Sequence, residues 1–232
     1  MTDRVAIVTG AGRGIGRATA VELSKRGYRV GLVSRTAGEL GETARLCAAG
    51  SAEVFTADVS RQDQADQMIA AMMTKFGRID AVVHSAGAVV MRSIEELSAT
   101  DWQTMIDTNL SAIYFLSHRL WPIWRRQGGG VMVNVSSAAA RDPFAGLEAY
   151  GAAKAGVNLL GLALSREGAA INVRVHTVAP AATETAMLRS IITPEQMPAD
   201  KTLEPAEVAR VIVQCVCGEL TCTSGEVIYI KK

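Results

Sequence analysis

Short runs rich in β-branched residues alternate along the chain with longer segments of helical pattern. The candidate strands are residues 5–9, 29–34, 53–56, 81–85, 131–135, 173–179 and 226–230, and the clearest candidate helices are residues 15–26, 62–75, 110–126, 149–166 and 205–215. A helix between two strands usually returns the chain to form a parallel pair through a right-handed crossover. The alternation therefore predicts an α/β fold, a doubly wound, parallel, seven-stranded sheet with helices on both faces.

Length and composition limit the number of domains and the kinds of partner. With 232 residues, 49% of them apolar, the chain can build one large domain, so we expect a single domain over 1–232. The formal net charge of +1, without a basic block, argues against nucleic acid or an anionic membrane surface as a partner. The N-terminal sequence has no secretory pattern and no apolar run long enough to span a membrane, which predicts a cytoplasmic protein.

The cysteines do not suggest a metal site or a disulfide framework. Cys47, Cys215, Cys217 and Cys222 form no Cys-x-x-Cys pair, and no histidine lies near the last three in sequence. Their spacing matches no structural zinc pattern. We therefore expect reduced cysteines that serve as small packing residues, and no metal.

A glycine-rich segment follows the first candidate strand and opens the first candidate helix. It reads Thr-Gly-Ala-Gly-Arg-Gly-Ile-Gly from Thr9 to Gly16, and the residues expected to contact a ligand are Gly10, Arg13, Gly14, Ile15 and Gly16. Glycines permit a tight turn and a close backbone approach, while free N–H groups at a helix N-terminus attract phosphate. A glycine-rich surface turn would look similar, but the strand before and the helix after it favour a dinucleotide pyrophosphate site.

The end of the second strand bears on the choice of cofactor. A free ribose 2′-hydroxyl usually meets a carboxylate there, whereas a 2′-phosphate calls for arginine. This chain has Ser34 and Arg35 at that point, with Arg13 in the glycine-rich segment as a second cation. The alternative is that both arginines are solvated side chains at loop tips. The pair predicts NADP(H) in preference to NAD(H).

Tyr150 and Lys154 are candidates for proton transfer. They are four residues apart in a predicted helix and so project from one face. A nearby ammonium is expected to lower the pKa of a phenol from its usual value of about 10. Ser137, thirteen residues upstream at the end of a strand, could hold a substrate carbonyl oxygen, and Ser136 is the competing candidate.

These motifs stand in an order that resembles the classical short-chain dehydrogenase/reductase family over essentially the whole chain. The resemblance rests on the glycine-rich segment, Asp58, Ala86-Gly87, Asn109, Ser137, the Tyr150/Lys154 pair, and Pro180 with Thr185. It implies a Rossmann-type fold and a catalytic set of Asn109, Ser137, Tyr150 and Lys154. Asn109 would hold a water in a proton relay that ends at Lys154, and Tyr150 and Lys154 would also contact the cofactor. By the same likeness Asp58 and Val59 would contact the adenine, Ala86 and Gly87 the adjoining ribose, and Pro180, Ala181, Thr183 and Thr185 the nicotinamide end.

Two positions depart from the family pattern. His84-Ser85 stand where the family commonly has two asparagines, and Ala181 replaces a usual glycine. His84 is expected to be a packed strand residue rather than an acid or base. Ala181 adds a methyl group near the expected nicotinamide, which would alter cofactor fit modestly.

A short, mostly apolar segment at about residues 185–204 is the expected substrate loop. Met187, Leu188 and Ile191 either line a substrate pocket or simply bury against the sheet. Together with Phe144 and Leu147, they predict a largely apolar carbonyl substrate. Arg189 or Arg141 could receive an acidic group, although solvation or pairing with Asp142 or Glu148 is the more ordinary expectation.

The leading functional hypothesis is NADPH-dependent interconversion of a ketone or aldehyde and an alcohol, with Tyr150 as proton donor or acceptor. One alternative is a 3-oxoacyl-acyl-carrier-protein reductase, which predicts a basic patch near the site, with Arg125, Arg126 and Arg166 as candidates. The other is a non-catalytic NADP(H)-sensing regulatory protein. A homodimer or homotetramer is expected from the resemblance, through the helices at 110–126 and 149–166.

Overall fold

Seven strands form one parallel sheet in a computed structural model that describes residues 4–232. The strands are β1 Val5–Thr9, β2 Arg29–Ser34, β3 Ala52–Thr56, β4 Ala81–His84, β5 Gly130–Val135, β6 Val173–Pro180 and β7 Val227–Ile230. Their order across the sheet is β3-β2-β1-β4-β5-β6-β7. The direction of winding reverses between β1 and β4, which confirms the predicted doubly wound, Rossmann-type sheet.

Helices connect the strands on both faces. They are α1 Gly14–Lys25, α2 Ala37–Leu46, α3 Gln62–Phe76, α4 Ala99–Ile106, α5 Ala112–Gln127, α6 Glu148–Gly168, α7 Ala186–Arg189 and α8 Pro205–Cys217. A π-helical turn, Asp107–Ser111, joins α4 to α5. The part of the chain described here contains no helix long and apolar enough to cross a membrane.

Helices α2 and α4 were not among the clear candidates from the sequence. Helix α2 fully buries only Leu40 and Thr43, and α4 buries only Met105. So few buried positions give almost no helical periodicity to detect. Helix α4 starts where the Ser98 hydroxyl accepts a hydrogen bond from the Asp101 N–H at 3.0 Å, an N-cap that compensates for its short length.

The core lies in two layers, one on each side of the sheet. Helices α1 and α8 pack over side chains such as Val8 and Val133, whereas α3, α5 and α6 pack over the opposite side chains, such as Ile7 and Met132. Both faces of the central strands are buried, which is why β1 and β4 are almost continuously apolar. All carboxyl ends of the strands meet at one edge, where an open α/β sheet binds ligands.

Candidate active site

A cavity of about 670 Å³ opens at the carboxyl edge of the sheet. Every predicted site residue except Asn109 lines it: Gly10, Arg13, Gly14, Ile15, Gly16, Ser34, Arg35, Asp58, Val59, Ala86, Gly87, Ser137, Tyr150, Lys154, Pro180, Ala181, Thr183 and Thr185. The loops after six different strands and the start of α6 thus converge on one space.

The glycine-rich segment forms a backbone cradle that side chains would fill. Gly10 has a φ of +66°, and a Cβ on it would lie 2.8 Å from the Ala86 nitrogen. A Cβ on Gly16 would overlap the carbonyl of Gly10. The Thr9 hydroxyl accepts hydrogen bonds from the N–H groups of Ser85 and Ala86, at 3.1 and 3.0 Å, and so fixes this segment against the loop after β4. The residues present therefore fit a pyrophosphate held at the start of α1.

Two side chains brace this cradle from outside, and sequence reasoning missed both. The Arg17 guanidinium donates to the Gly12 carbonyl at 2.8 Å and to the Thr43 hydroxyl at 3.1 Å. Thr43 is fully buried, and its hydroxyl donates to the Ala11 carbonyl at 2.9 Å. An arginine in α1 and a threonine in α2 carry no motif, so only the packing of these helices identifies the role.

Asp58 and Val59 form the turn between β3 and α3. A carboxylate oxygen of Asp58 accepts hydrogen bonds from the Ser60 N–H at 3.0 Å and the Ser60 hydroxyl at 2.6 Å, and the Asp58 N–H donates to Gln64 at 2.8 Å. Val59 is buried. The turn is therefore rigid, and it places both residues at the wall of the cavity near the end of β2.

Tyr150 and Lys154 lie one turn apart on α6, as their spacing predicts. The Lys154 ammonium nitrogen lies 5.6 Å from the centre of the Tyr150 ring and donates to the Val135 carbonyl at 2.8 Å. Lys154 is only 4% exposed. The hydroxyl of Ser137 lies close enough to the Tyr150 phenol to affect its pKa, whereas the buried Ser136 hydroxyl donates to the Lys154 carbonyl at 3.2 Å. Of the two serines, Ser137 is thus the one that faces the phenol.

Burial dominates the titration of both groups. It raises the pKa of Tyr150 above its usual value, and the polar influence of the neighbouring Ser137 hydroxyl opposes this only in part. Burial also lowers the pKa of Lys154 from 10.5 to about 8. The expectation that the ammonium lowers the pKa of the phenol is therefore wrong for this structure. The lysine still carries a charge below pH 8, but at 5.6 Å from the ring centre it does not offset the desolvation of the phenolate.

Asn109 lies behind the cavity rather than on its wall. It sits in the π-helical turn, 1% exposed, and its side-chain nitrogen donates to the carbonyls of Met105 and Ala88, both at 2.9 Å. Its side-chain oxygen accepts from the Ala88 N–H at 3.3 Å. A Cβ on Gly87 would lie 3.0 Å from this oxygen and 3.9 Å from the Lys154 nitrogen. Asn109 is therefore close to Lys154, and π-helical turns are frequent at functional sites.

The segment after β6 is held by backbone pairing. The Ala181 N–H donates to the Ile230 carbonyl at 2.8 Å, and Thr183 forms a bridge with Leu203. Thr185 caps α7 by accepting from the Leu188 N–H at 3.2 Å. Ala181 is not among the residues with a positive φ, so its methyl group is accommodated without backbone strain.

His84 is a buried strand residue, 4% exposed, and its Nε2 has no hydrogen-bond partner among residues 4–232. Burial lowers its pKa from 6.5 to about 3, so it is neutral at physiological pH. It pairs in register with Asn134 on β5, whose side-chain amide atoms likewise have no partner in the described part of the chain. These features agree with a packing residue and not with an acid or base.

The substrate loop is braced by a charged pair at its base. The Arg189 guanidinium donates to the Glu184 carboxylate at 2.8 and 2.5 Å and to the Met197 carbonyl at 2.9 Å. Arg189 is therefore already paired, and the alternative that it receives an acidic group of the substrate is not supported. Arg141 lies instead over the ring of Tyr229, 4.8 Å from its centre.

Apolar side chains line the substrate end of the cavity. They are Val89, Phe144, Leu147, Met187, Leu188, Ile191, Ile192 and Met197. Met187, Leu188 and Ile191 thus face the cavity while remaining partly exposed, so the interpretation as pocket lining is the better one for them. Among residues 4–232, no group of three or more His, Cys, Asp and Glu side chains could hold a metal ion.

A parallel sheet with a glycine cradle and a Tyr/Lys/Ser cluster at its carboxyl edge defines a dinucleotide-binding α/β enzyme fold. The family model for short chain dehydrogenases matches residues 4–196. The chain belongs to the short chain dehydrogenase family. Members of this family are oxidoreductases that bind a nicotinamide cofactor.

Similar proteins agree with this assignment. An uncharacterized oxidoreductase of Staphylococcus aureus strain MRSA252 is 31% identical over 214 residues, covering 92% of this chain and 90% of that protein. A 3-ketoacyl-(acyl-carrier-protein) reductase from Brucella melitensis, solved in complex with NADH, superposes with a TM-score of 0.92 at 25% identity, covering 98% of this chain and 96% of its own. Levodione reductase gives the same TM-score and identity, covering 100% of this chain and 97% of its own.

Proposed function

We propose that this protein is an NADPH-dependent carbonyl reductase that interconverts a ketone or aldehyde and an alcohol. The observation that carries the proposal is the meeting of Tyr150, Ser137 and Lys154 on one wall of the cavity, next to the glycine cradle. Nicotinamide bound there supplies or accepts the hydride. The chain's own residues bind the substrate oxygen and transfer the proton.

Ser137 and Tyr150 act on the substrate oxygen in this proposal. Their side chains both line the cavity and lie close to each other, so a substrate oxygen placed beside them can accept a hydrogen bond from both hydroxyls. Two donors aimed at an oxygen stabilise the negative charge that develops on it during reduction. Tyr150, which like any phenol is protonated at neutral pH, then gives its proton to that oxygen.

Lys154 and Asn109 assist the proton transfer. The charged form of Lys154 stabilises the phenolate left on Tyr150 from a distance of 5.6 Å to the ring centre. Asn109 is a positioning residue that fixes the loop at Gly87 and Ala88 and, by the family resemblance, orders a water that returns a proton through Lys154.

NADP(H) is the proposed cofactor because Arg13 and Arg35 both line the cavity beside Ser34. Both arginines are exposed and, among residues 4–232, neither belongs to an ion pair. They are therefore free to bind a phosphate dianion. The apolar lining around the substrate loop favours a largely apolar carbonyl compound.

We propose a cytoplasmic homodimer or homotetramer that acts on a small molecule, with no nucleic acid or membrane partner. Large apolar side chains on the expected interface helices support self-association: Tyr114 on α5 is 54% exposed and Leu159 on α6 is 69% exposed. The near-zero net charge is the reason for proposing neither nucleic acid nor membrane.

A 3-oxoacyl-acyl-carrier-protein reductase is the second candidate, supported by the similarity to the Brucella melitensis enzyme. The arginines considered for carrier docking give it no further support. Arg125 and Arg126 lie just before β5 begins and Arg166 shortly before β6 begins, so all three lie at the amino edge of the sheet, opposite the cavity.

A panel of carbonyl compounds, followed by the absorbance of NADPH and of NADH, tests the proposal. We expect turnover with apolar ketones or aldehydes and a higher kcat/KM with NADPH. Turnover only with acyl-carrier thioesters would favour the second candidate. Tight NADPH binding without turnover on any compound would contradict both and favour a sensing role.

A further inference from the structure

Glu39, in the first turn of α2, lies against the glycine-rich segment. A Cβ on Gly12 would lie 2.7 Å from a Glu39 carboxylate oxygen and 3.3 Å from the hydroxyl of Ser34. Glu39 lines the same cavity as Arg13 and Arg35. The carboxylate therefore lies at the end of the cavity formed by Arg13, Ser34 and Arg35, which we call the ribose-phosphate end.

The backbone that carries Glu39 is firmly held. The buried Thr43 hydroxyl shares its one proton between the Ala11 carbonyl, at 2.9 Å, and the Glu39 carbonyl, at 3.1 Å. The next residue, Leu40, is fully buried in the core. Helix α2 is thus fixed to the glycine-rich segment. The Glu39 carboxylate can leave the ribose-phosphate end only by a rotation of the Glu39 side chain.

The Glu39 carboxylate makes no ion pair within residues 4–232, and Arg13 and Arg35 make none either. One negatively charged carboxylate and two positively charged guanidinium groups therefore lie at the ribose-phosphate end without forming an ion pair with each other. A ligand that reaches this end meets both signs of charge.

These two charges favour different cofactors. A carboxylate accepts hydrogen bonds from a ribose hydroxyl, which is the usual basis for binding a free 2′-hydroxyl. The same carboxylate repels a 2′-phosphate, which the arginines attract. The acidic residue expected at the tip of β2 is missing from the sequence there, and the first turn of the following helix supplies one instead.

We propose that Glu39 is a specificity-determining residue that favours the free ribose 2′-hydroxyl of NAD(H). It thereby reduces the preference for NADP(H) that Arg13 and Arg35 create. The inference rests on the proposed cofactor site. It implies that the natural protein accepts both cofactors and that removing this one charge makes it markedly more selective for the phosphorylated form.

Two nucleotide fragments test the inference without any turnover. 2′,5′-ADP carries the 2′-phosphate and 5′-AMP does not, and their affinities are measured by isothermal titration calorimetry on the full chain. Glu39→Gln keeps the shape of the side chain and removes its charge. We expect this variant to raise the ratio of the two affinities by about tenfold in favour of 2′,5′-ADP, the scale of one charge interaction at a partly exposed site.

Glu22→Gln is the matched control, because Glu22 pairs with Arg26 at the far end of α1 and the exchange removes the same charge. We expect its affinity ratio to stay within about twofold of the natural protein, since a charge far from the ligand is screened. The inference is overturned if Glu39→Gln also stays within twofold, or if neither fragment binds the natural protein. Fragment selectivity that shifts as expected in a protein without carbonyl-dependent turnover would refute the proposed reaction and leave the role of Glu39 standing.

Discussion

Lys154 is a buried ammonium whose presence is expected to reduce the stability of the fold. Its side chain is 4% exposed, and burial lowers its pKa from 10.5 to about 8. Below pH 8 both the folded and the unfolded protein carry the proton, so Lys154 adds no pH dependence there. Between pH 8 and 10.5 the unfolded chain holds a proton that the folded protein has lost, and stability therefore rises with pH.

Lys154→Met removes this titration while keeping an unbranched side chain. From the two pKa values, the natural protein should gain roughly 2 to 3 kcal/mol of unfolding free energy relative to the variant between pH 7 and pH 10. At pH 7 the variant should equal or exceed the natural protein in stability, because it buries no charge and loses only the hydrogen bond to the Val135 carbonyl. It should be inactive.

Urea unfolding of both proteins at several pH values gives the difference directly, and the titrations of other groups cancel in it. Lys25→Met, an exchange at an exposed position, controls for the loss of one positive charge. A difference in unfolding free energy between the natural protein and Lys154→Met that stays constant from pH 7 to pH 10 would show that Lys154 does not lose its proton on folding.

Three further perturbations test other parts of the structure. Gly16→Ala should weaken the binding of 5′-AMP, measured by calorimetry, by about tenfold or more, because the added methyl group overlaps the backbone of the cradle. Gly38→Ala is the control, because its methyl group meets open space, and its affinity should not change. Equal effects of the two exchanges would contradict the role of the cradle. Arg189→Met should raise KM for the carbonyl substrate more than it lowers kcat, because it frees the substrate loop from Glu184, and an unchanged KM would contradict that role. Between pH 7 and pH 5 the unfolded natural protein binds a proton at His84, whereas the buried imidazole of the folded protein, with a pKa of about 3, does not, so acidification reduces stability. The unfolding free energy of His84→Asn should therefore fall by about 2 kcal/mol less than that of the natural protein over this range. Parallel pH dependences of the two proteins in urea unfolding would contradict this.

The sequence predicts the centre of the sheet well because the central strands are buried on both faces. Each of the seven predicted strands lies within two residues of its position in the structure, and buried runs such as Val5–Thr9 are almost continuously apolar. Helices α2 and α4 escape detection because few of their residues are buried. Their tertiary contacts stabilise them, and those contacts are not visible in a local pattern.

The site residues also divide into those that a local sequence pattern reveals and those that only tertiary packing reveals. Residues that follow strands, such as Ser137, reach the cavity because the topology brings all strand ends to one edge. Glu39 and Arg17 reach the glycine-rich segment only through the packing of α1 and α2, so no spacing in the sequence points to them. The sequence predicts the wrong direction for the pKa of Tyr150, because helical spacing reveals the neighbouring ammonium but not the extent of burial.

Proton donation by Tyr150 is the central claim, and Tyr150→Phe tests it most directly. The exchange removes only the hydroxyl, and calorimetry with 2′,5′-ADP shows whether the cofactor site is intact. With a carbonyl substrate found in the panel, kcat should fall by about a hundredfold or more, the usual contribution of a general acid, while fragment affinity stays unchanged. A Tyr150→Phe variant that retains the kcat of the natural protein would contradict the account.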